Sequence, residues 1–267
     1  MIANILSIAG SDPSGGAGIQ ADIKSISANG GFAMAAITAL TAQNTCGVTG
    51  VELVEPAFVE KQIDTVFADI AVAGVKIGMI ATADIAIAVA RSLERNKAMC
   101  VVLDPVMVAK GGDRLLAEDA VHALATRLMP IADVITPNLP EAAALLGRTE
   151  IKAREDMPGL AAALQAMGAR AVLLKGGHLE TPDSPDYLLL ADGTGVWFKG
   201  KRTKTKNTHG TGCTLSSALA TRLAITHDLE TATRQAKAYV AKAIAHADDL
   251  NVGKGHGPTH HFYDINR

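Results

Sequence analysis

The chain has 267 residues, 48% hydrophobic and only 3% aromatic, so Ala, Val, Ile and Leu carry the apolar weight and a sizeable core can form. A formal net charge of −2 without a long basic run argues against a nucleic-acid partner, because neutralising phosphates takes clustered Lys and Arg. Three scattered cysteines, Cys46, Cys100 and Cys213, make neither a disulfide framework nor a zinc site and suit a reducing, cytoplasmic compartment.

In chain order, Ile2–Ala9 is a short apolar run ending at Gly10, which predicts a first strand. A glycine-rich loop follows, then a helix over Ala17–Asn29 and a second strand over Ala33–Leu40. From Ser25 to Val51 no residue is charged, but Asn29, Gln43 and Asn44 are costly in hydrocarbon. Buried strand and loop are therefore expected there, and no membrane span. With no Lys or Arg ahead of the first apolar run, a secretory signal is not expected either. Val48–Val54 alternates like a strand, and Pro56 opens a helix running to Asp69. Val75–Met79, Met99–Leu103, Asp133–Thr136 and Ala171–Leu174 are further strands. Asp84–Arg95, Leu115–Leu128, Glu141–Leu146 and Met157–Met167 are helices between or beside them. Tyr187–Ala191 and Val196–Lys199 flank Asp192-Gly193-Thr194-Gly195 as a hairpin. Helices over Thr211–Ile225 and Leu229–Leu250 precede a Gly/His-rich tail, where His260 and His261 are expected at the surface. Strands separated by helices make βαβ units, hence an α/β fold with a mostly parallel sheet and helices on both faces, in one domain. Ligands on such sheets lie outside the carboxyl ends of the strands.

The strongest anion-site signal is Asn207-Thr-His-Gly-Thr-Gly-Cys-Thr-Leu215. Gly210 and Gly212 flank Thr211 and let successive amides point at one spot, where the following helix adds its partial positive charge. A plain helix cap is the competing reading. Cys213 sits in that first turn, where a helix N-terminus is expected to lower its pKa and favour a proton acceptor, unless it is simply a small buried hydrophobe. The run is not G-x-x-x-x-G-K-[ST], and the loop after the first strand lacks G-x-G-x-x-G spacing and an acidic partner, which weakens a hydride-transfer reading. Asp22, one turn past Gly18, points back toward the first loop and can accept from a substrate hydroxyl or amine. Gln43 carries the acceptor and donors that match an aminopyrimidine edge, though it reads as a loop residue. Asp104, Asn138 and Glu141 follow strands and suit Mg²⁺ and phosphates, or else ordinary turn chemistry. Lys175 brings an ammonium to the same end of the sheet.

Taken together with Ala9-Gly-Ser-Asp-Pro-Ser-Gly-Gly-Ala-Gly-Ile-Gln-Ala-Asp22, Thr38-Ala-Leu-Thr-Ala-Gln-Asn-Thr45, Lys76-Ile-Gly-Met79, Leu103-Asp-Pro-Val106, Thr136-Pro-Asn-Leu-Pro-Glu-Ala142, Leu174-Lys-Gly-Gly-His178 and Gly253-Lys-Gly-His-Gly-Pro258, these segments make the chain resemble, over its whole length, the hydroxymethylpyrimidine/phosphomethylpyrimidine kinases of thiamin biosynthesis, in the ribokinase-like superfamily. The resemblance implies ATP and Mg²⁺ as cofactors, a small pyrimidine alcohol as substrate and a homodimer. It implies pyrimidine contacts from Gln43 and Asp22 with Gly10, Met79 and Val106 around the ring, and an anion hole from Gly210, Thr211 and Gly212. It places Lys175, Asn138, Thr208 and His209 beside the nucleotide and Asp104, Thr136 and Glu141 around Mg²⁺. Most of the superfamily has an Asp base where this chain has Cys213, as the pyrimidine kinases do. The competing expectations are a pyridoxal or pyridoxine kinase of the same fold, a thiol enzyme using Cys213 with His209 as base, and a non-catalytic binding protein.

Overall fold

The protein is described here from a computed structural model, which covers residues 2–107, 118–149, 151 and 153–265. Nine strands form one sheet in the order β3-β2-β1-β4-β5-β6-β7-β8-β9. The strands β1 (Asn4–Ser11), β2 (Phe32–Asn44), β4 (Gly74–Ile77), β5 (Val101–Leu103), β6 (Val134–Ile135) and β7 (Val172–Lys175) run parallel. The edges are antiparallel: β3 (Gly47–Leu53) folds back on β2, and β8 (Asp186–Leu189) and β9 (Gly195–Phe198) extend the sheet beyond β7. The chain steps from β1 to β2 on one side and later returns to place β4 on the other, so a topological switch lies at the carboxyl end of β1.

Short apolar runs form the central strands because both faces are covered. Along β1 and β5 the side chains alternate between two cores: Leu6, Ile8, Val101 and Leu103 pack on one face, Ile5 and Val102 on the other. The first face is covered by helices α2 (Pro56–Asp69), α3 (Ala83–Arg95), α4 (Glu118–Ala123), α5 (Leu139–Leu146) and α6 (Met157–Ala166). The second is covered by α1 (Gly18–Ala28), α7 (Thr211–Thr226) and α8 (Leu229–Ala245). Thr82 caps α3 through its side chain, and Asn138 and Glu141 form a reciprocal capping box at the start of α5.

Three expectations change. Strand β2 continues to Asn44, because its outer half pairs with β3, so Gln43 is a strand residue. The helix expected over Leu115–Leu128 begins among residues that lie outside the described set. Its described part is α4, followed by a wide π turn over Leu124–Leu128 and a 3₁₀ turn over Met129–Ile131, where Pro130 ends the regular ladder. His261 is not at the surface: it is 4% exposed, with Nε2 3.0 Å from Thr214 Oγ1.

Leu6 is fully enclosed in the larger core. Leu6→Ala leaves a cavity between β1 and the helices on that face and is expected to cost about 2–5 kcal/mol, measured by urea denaturation.

Candidate active site

A cavity of about 1440 Å³ opens at the carboxyl ends of the parallel strands. It gathers Gly10, Gln43, Met79, Val106, Asp104, Asn138, Glu141, Lys175, Thr208, His209, Gly210, Thr211, Gly212 and Cys213 into one wall. Of the residues predicted from sequence, only Asp22 and Thr136 lie outside its lining.

The bend before α7 is built to stay open. Gly210 has φ 73°, and a Cβ there would meet the carbonyl oxygen of Gly16 at 1.7 Å, so only glycine lets this bend seat against the first loop. The Gly210 carbonyl accepts from the Thr214 amide and hydroxyl, while the Thr211 hydroxyl donates to the Thr208 carbonyl. No side chain caps α7, and the amides of Gly212 and Cys213 have no hydrogen-bond partner among the described residues. Residues 210–213 are half-buried, so those amides face the cavity at the positive end of a 16-residue helix. Helix α1 also starts without a side-chain cap, and its first residue, Gly18, lines the cavity together with Cys213.

The loops around the bend are tied together. Asp12 accepts from the Ser14 amide and hydroxyl and the Ala17 amide, and its other contact is His209 Nε2 at 2.8 Å. Burial works against this carboxylate, but the His209, Ser14 and Ala17 contacts outweigh it and hold the pKa at about 2. Residues 253–261 run across as a strap. The Gly255 amide donates to Thr45 Oγ1, the His256 amide to the Thr45 carbonyl, and the Gly257 amide to Asn207 Oδ1. The His209 amide in turn donates to the Gly257 carbonyl. The end of the β2–β3 hairpin, which carries Gln43, is thereby linked to the anion bend.

Between bend and sheet lies a cluster of charge. Lys175 Nζ is 3.1 Å from Asp104 Oδ1 and 3.9 Å from Glu141 Oε2. Thr136 is fully buried and donates its hydroxyl to Asp104, and Ser216 does the same at 3.2 Å. Thr136 therefore orients a carboxylate and has no free face for a ligand. Burial pushes the Asp104 carboxyl up, but the ammonium groups of Lys175 and Lys76 outweigh it and hold it below the ordinary range. Glu141 goes the other way: burial, offset in part by Lys175 and reinforced by Asp104, pushes it up to about 7. One ammonium shared by two enclosed carboxylates leaves negative charge without a partner. Oxygen donors of this kind fit a hard divalent cation that keeps waters and phosphate oxygens in its shell. Among the described residues no group of three or more His, Cys, Asp or Glu forms a metal cage.

Two expectations are corrected. Asp22 is fully buried beneath the cavity, where it pairs with Lys76 and accepts from Ser7 and Ser217, so its lone pairs are committed to the fold. Cys213 is not acidified by its helix. Burial dominates, with Asp22 and Asp104 adding to it and Lys76 and the Gly18 amide opposing it, and the thiol is pushed up to about 11. Sequence reasoning missed Lys76, Asp12 and the far wall of the cavity, where Trp197, Phe198, Arg234 and Lys237 stand. That wall is assembled from β9 and α8, and no local pattern announces it.

Glu141 yields a pH prediction. Its pKa in the folded protein lies above the ordinary carboxyl value, so the protonated form is favoured by folding. Its contribution is full below about pH 4.5 and is lost as pH rises through about 7. Glu141→Gln is expected to flatten the fall in melting temperature between pH 5 and pH 8, read by calorimetry across that window.

The family profile for phosphomethylpyrimidine kinase matches residues 12–260. The hydroxymethylpyrimidine/phosphomethylpyrimidine kinase of Salmonella typhimurium is 52% identical over 260 residues, spanning 97% of each chain. The solved phosphomethylpyrimidine kinase of Clostridium difficile superposes with a TM-score of 0.80 at 40% identity, covering 91% of this chain and 99% of that one. A solved ADP complex of Bacillus subtilis pyridoxal kinase reaches 0.91 at 34% identity, covering both chains fully. With the profile and the relative both spanning nearly the whole sequence, the chain belongs to the phosphomethylpyrimidine kinase family and is a kinase.

Proposed function

We propose that this kinase transfers the γ-phosphoryl group of ATP to the hydroxymethyl group of 4-amino-5-hydroxymethyl-2-methylpyrimidine, and then adds a second phosphoryl group to the monophosphate, in thiamin biosynthesis. The observation that carries this reading is the pair of unpartnered amides at Gly212 and Cys213, opening onto the cavity that also holds Gln43 and Lys175.

Gln43 presents its amide to the ring nitrogen and amino group of the pyrimidine, with Gly10, Met79 and Val106 enclosing the ring. The nucleotide lies toward Lys175, Thr208 and the wall of Trp197, Phe198, Arg234 and Lys237, with its phosphates running to the bend. The alcohol oxygen attacks the γ-phosphorus as the bond to the bridging oxygen breaks, and that electron pair leaves with ADP. The amides of Gly210, Gly212 and Cys213 surround the charge on the moving group, while the Thr211 amide, expected in the anion hole, donates instead to the Thr208 carbonyl, and Lys175 balances the charge from the sheet side. Cys213 holds the alcohol in line and, as thiolate, takes its proton. Asp104 and Glu141, with Asn138 beside them, would hold Mg²⁺, which neutralises phosphate charge when bound. The thiol-enzyme reading is disfavoured: His209, the base it would need, is engaged by Asp12.

Val51 and Leu53, each 49% exposed, share one face of the edge strand β3, and this apolar surface supports a homodimer. The free state of all three cysteines supports a cytoplasmic setting, and no helix among the described residues is long and apolar enough to cross a membrane. A pyridoxal kinase activity is the second reading, favoured by the 0.91 superposition on such an enzyme.

Mass spectrometry of products formed with ATP, Mg²⁺ and the pyrimidine alcohol is expected to show the mono- and then the pyrophosphate. Turnover of pyridoxine at an equal rate would overturn the substrate assignment. Cys213→Ala is expected to lower kcat about 100-fold with KM within about threefold, as for loss of a proton acceptor. Gln43→Ala is expected to raise KM for the alcohol about tenfold with little effect on KM for ATP, as for one lost buried hydrogen bond. Steady-state kinetics with each substrate varied checks both.

A further inference from the structure

A charged pair lies where the fold should be apolar. The face of the sheet covered by α1 and α7 is lined by residues such as Ile5, Val102 and Leu173. In register on that face, Ser7 of β1 pairs with Lys76 of β4. Lys76 has no exposed surface, yet it forms part of the cavity wall. Its ammonium lies 2.9 Å from both oxygens of Asp22, which descends from α1 and is also fully buried. Ser7 donates to one Asp22 oxygen at 2.6 Å and Ser217 to the other at 2.7 Å. Every polar atom of this group is therefore satisfied from β1, β4, α1 and α7.

Such a pair is a poor stability device. Desolvating two charges offsets most of their attraction, and apolar residues of similar volume often serve as well or better. Its position offers another reason for its presence. Ser217, which bonds Asp22, lies one helical turn after Cys213 on the same face of α7, so α7 ties the pair to the turn that carries the thiol. Gly18, from the same helix as Asp22, lines the cavity together with Cys213. Other charges near the thiol are Asp104 at the end of β5 and Lys175 at the end of β7. Of these, Asp104 is already bonded to Lys175, Thr136 and Ser216. Lys76 borders the same cavity as Cys213, and its ammonium is bonded to Asp22. Burial works against its charge, but Asp22, with Cys213 and Asp104 nearby, holds the ammonium above the usual lysine range.

We propose that Lys76 and Asp22 are positioning residues that set the thiol–thiolate balance of Cys213, the ammonium favouring the thiolate and the carboxylate restraining it. The inference rests on the reading of Cys213 as proton acceptor, and it adds a device that acts on that sulfur from inside the core, without touching either substrate. The two charges have opposite signs and separate effects. A purely structural pair would respond alike to loss of either member.

The test reads the sulfur directly. Intact wild-type protein, Lys76→Met, Asp22→Asn and the double variant are treated with iodoacetamide at pH 8 in the absence of nucleotide, and alkylation of the Cys213 peptide is timed by mass spectrometry. Lys76→Met is expected to slow alkylation at least about tenfold, the equivalent of one pKa unit. Asp22→Asn is expected to speed it, and the double variant to fall between Lys76→Met and wild type. In turnover, Lys76→Met is expected to lose at least about tenfold in kcat with KM for the alcohol within about threefold, in parallel with its loss of alkylation. Unchanged alkylation in Lys76→Met, or a shift in the same direction for both single variants, overturns the proposal. Should Asp22→Asn fail to fold with its lysine left unpaired, the order of the other three proteins decides. Full turnover by Cys213→Ala would instead remove the proton-acceptor reading, and the alkylation order would still judge the charge pair by itself.

Discussion

The contact between α1 and α7 governs the rest of the molecule. Ser25 donates to the Thr214 carbonyl and Ser217 to Asp22, so the two helices meet through polar groups. Gly210 seats against the Gly16 carbonyl at a spacing no side chain would permit. Two uncapped helix starts are brought to the same end of the sheet, and their partial positive charges converge on one corner of the cavity. The strands then have only to end in the right order beneath that corner for Met79, Asp104, Asn138 and Lys175 to face it.

That corner is electrostatically layered. At the surface of the cavity lie the open amides and Lys175. Below them Asp104 and Glu141 compete for one ammonium, and the difference in their pKa shifts follows from it: Asp104 has two cations near it, whereas Glu141 has the distant side of one. Deeper still is the Lys76–Asp22 pair. Donors thus line the cavity itself, and the carboxylates that would hold a divalent cation stand behind them.

Much of this was legible from local pattern. Short apolar runs ending in Gly10, Asp104-Pro105 and Lys175 marked strands whose carboxyl ends line the cavity, and Gly210-Thr211-Gly212 before an apolar helix marked the bend that borders it. What was not legible depends on face and distance. Alternation along β4 cannot say that Lys76 points into the core, because that depends on which helix later covers the sheet. Asp22 obeys the helical spacing that aims it at the first loop, yet Lys76 and Ser217 capture it from elements far along the chain. The Cys213 pKa was misjudged because a helix N-terminus was weighed without the burial that overrides it. His261 looked like a polar tail residue until α7 supplied Thr214 as its partner.

The strap over residues 253–261 carries a consequence for the order of folding. The loop bearing His209 is buckled by the carbonyl and amide of Gly257, and the Gly255 amide reaches Thr45 across 210 residues of sequence. Contacts of such separation carry a large loop-closure entropy and form late, so the sheet precedes the fastening of the hairpin that carries Gln43 to the loop that carries His209.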